Sequence, residues 1–526
     1  MRPLQHHSDS WHSSAFPESL EEAKARLTEY VTTHVDSDGA VRAPCRGRPL
    51  ETALLSRLLQ RIGQPATRQV EYLRNLPAGS DPFDLAIART ALREGGELTE
   101  DLRSRIIERS PAFTGPRKRA LLDGMFAALG GSAEDRPRAD PGLLHRNGLH
   151  SWAQVQVTAL KSLLTESFDD EDVHVLLATQ RLPEVWEGNL LIHLFTLHAL
   201  QRLPGTETAV ADGVRKALRH VRSDGSAPFV TDTDTWCTVT AGVALAASGA
   251  PEPVLNRIAD RLVHCQQPGG GWSYTDVALQ TDVDDTSVAV QVLRAHGTRS
   301  AARAADRGLA SLSAVRHPHG GFPTYVRGSA PEACMTAAAL DAFTFDIPRH
   351  RDILVDGLRF LADEQLDDGT FPPDWSSSQL HTVFRTVLTA SRIPSRFPGP
   401  AKTVAQRALR FVRESQNTDG GWGQRAGDPS DPISTSYAVM ALCAQQDPRP
   451  AAEGARFLLR HQREDGSIPS VSDSIGPRPF IFHVPLLADI FALMALGHVS
   501  SRIRAHTAKA RPTPAGHGGG RTAGSC

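Results

Sequence analysis

From about residue 250 onward, amphipathic and apolar stretches alternate along the chain. Ala405 to Gln416 is amphipathic, with apolar residues recurring at helical spacing. Ser436 to Ala444, which follows it, is apolar nearly throughout, as is Thr286 to Leu293. A turn of recurring composition separates the two kinds of stretch. Gln266-Gln267-Pro268-Gly269-Gly270-Gly271-Trp272 returns as Gln416-Asn417-Thr418-Asp419-Gly420-Gly421-Trp422, and more loosely as Gln365 to Phe371 and Gln462 to Ile468. The shared pattern is Gln, three residues, Gly, one residue, then a large apolar side chain. Arg316 to Phe322 keeps only its second half, and Val221 to Ala227 little beyond Asp224-Gly225.

The glycines fall at 225, 270, 320, 369, 420 and 466, spaced by 45, 50, 49, 51 and 46 residues. Such a period holds two helices and their loops. Gly ends the first helix because it tolerates the left-handed cap. The pattern predicts an all-α fold, with apolar helices as the inner ring of an α/α barrel and amphipathic helices outside. A solenoid of helix pairs would give the same pattern. Before Gly225 the repeat fades, but the apolar run Gly188 to Leu197 still reads as helix. Four segments are expected: an N-terminal piece, 1–26, free to pack on the C-terminal barrel; a helical domain, 27–250; a barrel, 251–500; and a disordered tail, 501–526, rich in Arg, Lys, Gly and Pro.

The repeat also aligns polar groups. Each inner helix should start 12 to 16 residues after its Gly. Those windows hold Asp282, Asp284, Asp285 and Thr286; then Glu332 and Cys334; then His381 and Arg385; then Ser434 and Ser436. In a closed barrel these groups converge at one mouth. Three carboxylates in four residues raise one another's pKa, and burial raises it further. A carboxyl kept protonated near neutral pH is a general acid. The plainer account is an acidic N-cap on an ordinary helix.

The run Asp282-Val283-Asp284-Asp285-Thr286, with the Gln-x-x-x-Gly-x-Trp repeat, resembles the class II terpene cyclases, which include copalyl diphosphate synthases and squalene–hopene cyclases. These are that family's DxDD and QW motifs, in the family's order. The resemblance is good over about residues 220 to 500 and poor before. It implies two α/α barrels in a βγ arrangement, the first domain γ-like and the second β-like, with the substrate cavity between them. It makes Asp284 the proton donor, with Asp282 and Asp285 tuning it. The implied reaction cyclises farnesyl or geranylgeranyl diphosphate to a bicyclic diphosphate of drimenyl or copalyl type. The diphosphate is retained, since Asp169-Asp170-Glu171-Asp172 is followed by Val173 and DDxxD fails. Mg²⁺ would accompany the diphosphate, and a separate phosphatase or class I synthase would act on the product. No SPSATA-like or YDTAW-like stretch occurs, which leaves chain length open.

A cation intermediate needs aromatic faces. The candidates are Trp236, Phe322, Tyr325, Trp375, Phe384 and Tyr437; Trp272 and Trp422 go to packing with the repeat. His381 could hydrogen-bond an acidic Asp or take the final proton. Arg385 could meet a carboxylate or diphosphate. Arg42, Arg46 and Arg48 offer a phosphate clamp, and Asp169 to Asp172 a Mg²⁺ site or a helix cap.

Composition narrows the alternatives. At 526 residues, 40% hydrophobic and 22% charged, the chain fits a globular protein. A net charge of −2 gives no pull toward nucleic acid. Aromatics are only 6%, few for a ring-lined cavity. Six cysteines form no CxxC pair, and no secretory signal or run of about 18 apolar residues occurs, so a cytoplasmic protein without integral membrane association is expected. A triterpene-type polyene cyclase would want a nonpolar channel, a prenyltransferase β-like subunit an Asp, Cys and His zinc set. A noncatalytic helical-repeat binding protein would leave the triple Asp idle.

Overall fold

The computed structural model describes residues 11–96, 98–110, 114–130, 139–165 and 168–510. Among them, six apolar helices close a ring: Asp234–Ser248, Val283–His296, Ala333–Phe343, Leu380–Arg392, Pro432–Leu442 and Leu486–Ala510. Each packs on the next, and the last packs back on the first. Every residue of Ala333–Phe343 and of Pro432–Leu442 is buried, as helices covered on all sides require. The amphipathic helices Leu20–Thr33, Glu252–Cys265, Arg299–Val315, Arg351–Glu364, Ala401–Glu414 and Arg449–Arg460 surround them. Closure of the inner ring makes this an α/α barrel and not a solenoid.

The recurrent turn is the stitch between neighbouring pairs. Gln266 Nε2 donates to the carbonyls of Gly270 (2.7 Å), in its own turn, and Ala304 (2.8 Å), in the next outer helix. Gln365, Gln416 and Gln462 do the same, reaching Val404, Pro450 and Ala23. Trp272 and Trp422 donate their indole N–H back to Leu262 and Val412. The turn glycines from Gly270 to Gly466 have φ between +85° and +94°, and a Cβ there would sit 2.4–3.0 Å from a backbone oxygen of the next outer helix.

Gly466 faces Arg26 in this way, so Leu20–Thr33 is the sixth outer helix. Its own turn, Asp36-Ser37-Asp38-Gly39, presses on Arg257 and is a further copy of the repeat that the sequence reading passed over. Between that turn and the first inner helix the chain leaves to build a second helical unit. The two apolar cores record this. One gathers Trp11 to Cys45 and Val230 to Val499, the other mainly Leu50 to Ala227. The units join at a short ladder, Gly47–Arg48 against Ala227–Pro228.

The expected boundaries at 26 and 250 therefore move. Residues 27 to 45 and the helix Asp234–Ser248 belong to the C-terminal barrel, because their apolar faces are buried there. The disordered tail was expected from 501, but Leu486–Ala510 is one helix; residues 511–526 lie outside the described residues. Leu486–Ala508 is long and apolar enough to cross a membrane, but 78% of its most apolar stretch is buried inside the barrel, where it forms the sixth inner helix.

Candidate active site

The acidic run is where the turn meets the inner helix. Asp282 is the N-cap of Val283–His296, its carboxylate accepting from the Asp285 N–H at 2.8 Å. Its own N–H donates to the Trp272 carbonyl (3.0 Å), and the Trp272 N–H donates to Thr286 Oγ1 (3.0 Å). Repeat and motif are thus one hydrogen-bonded unit, which fixes all three carboxyls at the helix start. They line a cavity of about 620 Å³ whose wall comes from both units.

The three are not equivalent. Asp285 is buried, and its Oδ1 has no hydrogen-bond partner. Burial, then the charge of Asp282, pushes its carboxyl well above the usual range. Burial also pushes Asp282 up to about 7, against hydrogen bonds from Asp285. Asp284, the most exposed of the three at 15%, is ion-paired with Arg385. The expectation made Asp284 the donor, with Asp282 and Asp285 tuning it; burial raises the pKa of both of those neighbours.

Of the other expected site residues, Trp236, Tyr325, Trp375, His381 and Tyr437 line the same cavity. Tyr325 stacks on His150 at 4.1 Å and meets Trp152 and Trp375 edge-on. Arg385 lies behind the wall, its guanidinium 5.8 Å from the rings of Trp236 and Phe384, beside a smaller cavity of about 60 Å³. Phe384 lines that smaller cavity, and Phe322 is core. His381 Nδ1 bonds Asp374 at 2.8 Å. Tyr437 and Ser376 donate to Asp473 at 2.8 and 2.6 Å.

Two expected clusters go elsewhere. Arg42 pairs with Asp36 and Asp38 outside the cavity, and Arg48 with buried Glu51 under Phe229. Arg46 is not in the wall either; its N–H donates to the His483 carbonyl. Asp169 and Asp172 form a capping box and share Lys161, so that run is a helix cap. Among the described residues no group of three or more His, Cys, Asp or Glu is placed to hold a metal ion.

The cations that do line the cavity are Arg117, Lys118 and Arg478, beside His150. Lys118 Nζ donates to the Arg478 carbonyl. Arg478 pairs with Glu332 and covers Trp375 at 4.2 Å. Sequence reading missed all of them. A signal existed for Arg478, which lies 12 residues after Gly466, inside the window used for the other repeats. Arg117, Lys118 and His150 come from the unit without a legible repeat.

Residues 235–374 match the family model described as the prenyltransferase alpha-alpha toroid domain, and residues 329–501 that of the squalene-hopene cyclase C-terminal domain. Over 507 residues the chain is 38% identical to a drimenyl diphosphate synthase from Streptantibioticus cattleyicolor, covering 90% of this chain and 93% of that one. A second drimenyl diphosphate synthase, from Streptomyces showdoensis, is 35% identical over 91% of this chain and 94% of its own. Among solved structures, ent-copalyl diphosphate synthase from Streptomyces platensis superposes with a TM-score of 0.56 at 18% identity, over 91% of this chain and 99% of that one. That likeness concerns the fold.

Proposed function

The chain belongs to the class II terpene cyclases, and we propose that it converts farnesyl diphosphate to a bicyclic diphosphate of drimenyl type, with the diphosphate retained. The observation that carries this is the buried three-carboxylate cluster opening on a cavity between two helical units. The C15 choice is supported by the two relatives that match over nine-tenths of the chain, both drimenyl diphosphate synthases. A C20 substrate giving a copalyl-type product is the other outcome of the test.

The donated proton belongs to the carboxyl set, in which burial raises the pKa of Asp282 and Asp285. Asp282 and Asp285 store it, and Asp284 is the member assigned to face the alkene. An O–H bond of the set breaks, the proton adds to the distal alkene, and the next double bonds close two rings on the cation. Trp236, Tyr325 and Trp375 offer ring faces to that charge. On the wall from the other unit, Arg117, Lys118 and His150 suit the diphosphate end, with Arg478 beside them. A neutral polyene would have no use for this cationic sector. Mg²⁺ arriving with the substrate would be held by phosphate oxygens, since the described residues place no group of three or more His, Cys, Asp or Glu to hold it; it would neutralise diphosphate charge. The proposed setting is the cytoplasm, and a phosphatase or class I synthase is the class of enzyme that would consume the product.

Purified protein is incubated with Mg²⁺ and farnesyl or geranylgeranyl diphosphate, treated with phosphatase, and the alcohols analysed. A bicyclic C15 alcohol is expected, falling by about 100-fold or more in Asp284→Ala. No cyclic alcohol from either substrate would overturn the reading.

A further inference from the structure

Ring closure leaves a carbocation, and a class II product forms only when that cation loses a proton. We propose that His381 takes this final proton through Nε2, and that Asp374 positions it to do so. The proposal rests on the cyclase reading above.

The geometry has three parts. First, the tautomer is set. Asp374 is fully enclosed and accepts from Thr382 Oγ1 and from the Ser376 N–H (2.7 Å), besides its contact with His381 Nδ1. Burial alone would raise its pKa, but His381, Thr382 and Ser376 outweigh burial and hold the carboxyl below the usual range. A carboxylate there can only accept, so Nδ1 carries a hydrogen, and in the neutral imidazole the lone pair is then on Nε2. Second, His381 forms part of the cavity wall, and its hydrogen bond to Asp374 occupies Nδ1 and leaves Nε2 for a substrate. The rings of Phe384 and Tyr437, 5.8 and 5.5 Å away, fix the imidazole plane. Third, the spacing fits. His381 and Arg385 lie one turn apart on one helix face, about 6 Å along the axis. Arg385 holds Asp284, so acid and base are tied to neighbouring turns of this helix, and both line the one cavity.

In the step, a C–H bond beside the cation breaks and its electron pair becomes the product's double bond. The proton goes to Nε2, and the imidazolium is held by the Asp374 carboxylate. The carboxyl set has given one proton and His381 has gained one, so the substrate and product differ only in connectivity. Asp473 is the rival base in the wall, but one of its oxygens already accepts from both Tyr437 and Ser376. Tyr437 keeps its own proton, since burial raises its pKa well above the ordinary value.

The test compares His381→Gln and Asp374→Asn with the parent enzyme on farnesyl diphosphate. Consumption of substrate is expected to fall less than product fidelity. The ratio of the parent alkene to water-captured or isomeric alkene products should shift at least about 10-fold in both variants. Asp374→Asn carries the test through the tautomer if the Gln variant does not fold. Two outcomes overturn the proposal: a parent-like product ratio in both, or loss of consumption in His381→Gln with an unchanged melting curve, which would assign His381 to initiation. Failure of the cyclase reading looks different, since the parent enzyme itself would then make no cyclic product.

Discussion

At the scale of single residues, the site trades stability for acidity. Asp282 is the clearest case, because burial holds its carboxyl at about 7 in the fold against about 4 in an unfolded chain. The sign follows from that order. The acid form's contribution to stability is complete below about pH 4 and is lost as pH rises through 7. Asp282→Asn keeps an N-cap and carries no charge. It is expected to melt higher than the parent by about 2 °C or more at pH 8, with a smaller gap at pH 5, in paired thermal melts. Turnover should move the opposite way. The donor set must hold its proton, so kcat should fall as pH rises above about 7, and Asp282→Asn should be slower at every pH. Equal melting gaps at both pH values would show that Asp282 does not titrate in this range.

Among the elements, the turns decide which helices touch. Gly466 sits at φ +89°, and a Cβ there would lie 2.9 Å from the Arg26 carbonyl oxygen. Gly466→Ala should cost about 1–3 kcal/mol in denaturant unfolding. Hydrogen exchange should quicken first in Leu20–Thr33, the outer helix that this turn holds. An unchanged exchange pattern there would mean the helix is held by its other contacts, chiefly with the last inner helix. Such turns were the legible part of the fold. A 45–51 residue period placed the starts of four inner helices, and with them Asp282, Asp284, Asp285, His381 and Arg385. The period could not show that Leu20–Thr33 belongs to the same barrel. An insertion separates its turn at Gly39 from the inner helix at Asp234. Asp374 and Asp473 escaped for a local reason: they lie five and seven residues after their glycines, in loops short of the helix starts.

For the whole molecule, the insertion supplies the second wall of the site. A barrel alone would present its three carboxyls to water at an open mouth. The inserted unit covers that mouth and brings its own cations, and Lys118 shows the cost of doing so. Its Nζ meets the Arg478 carbonyl across the join, and burial, aided by the charge of Arg478, pushes it down to about 7. At pH 8 the amine is therefore mostly neutral before substrate arrives. A diphosphate beside it favours the ammonium, so binding should draw a proton from solvent. Titration calorimetry with a non-reactive farnesyl diphosphate analogue, in two buffers of different ionisation heat, reads this directly. Uptake should approach one proton at pH 8 and be small at pH 6, where Lys118 is already charged. Lys118→Met should remove the pH 8 uptake and weaken binding about 10-fold or more, the worth of one charge-assisted contact. Equal heats in both buffers at pH 8 would place the diphosphate away from Lys118. The join between the units would then serve only to keep water from the carboxyl set.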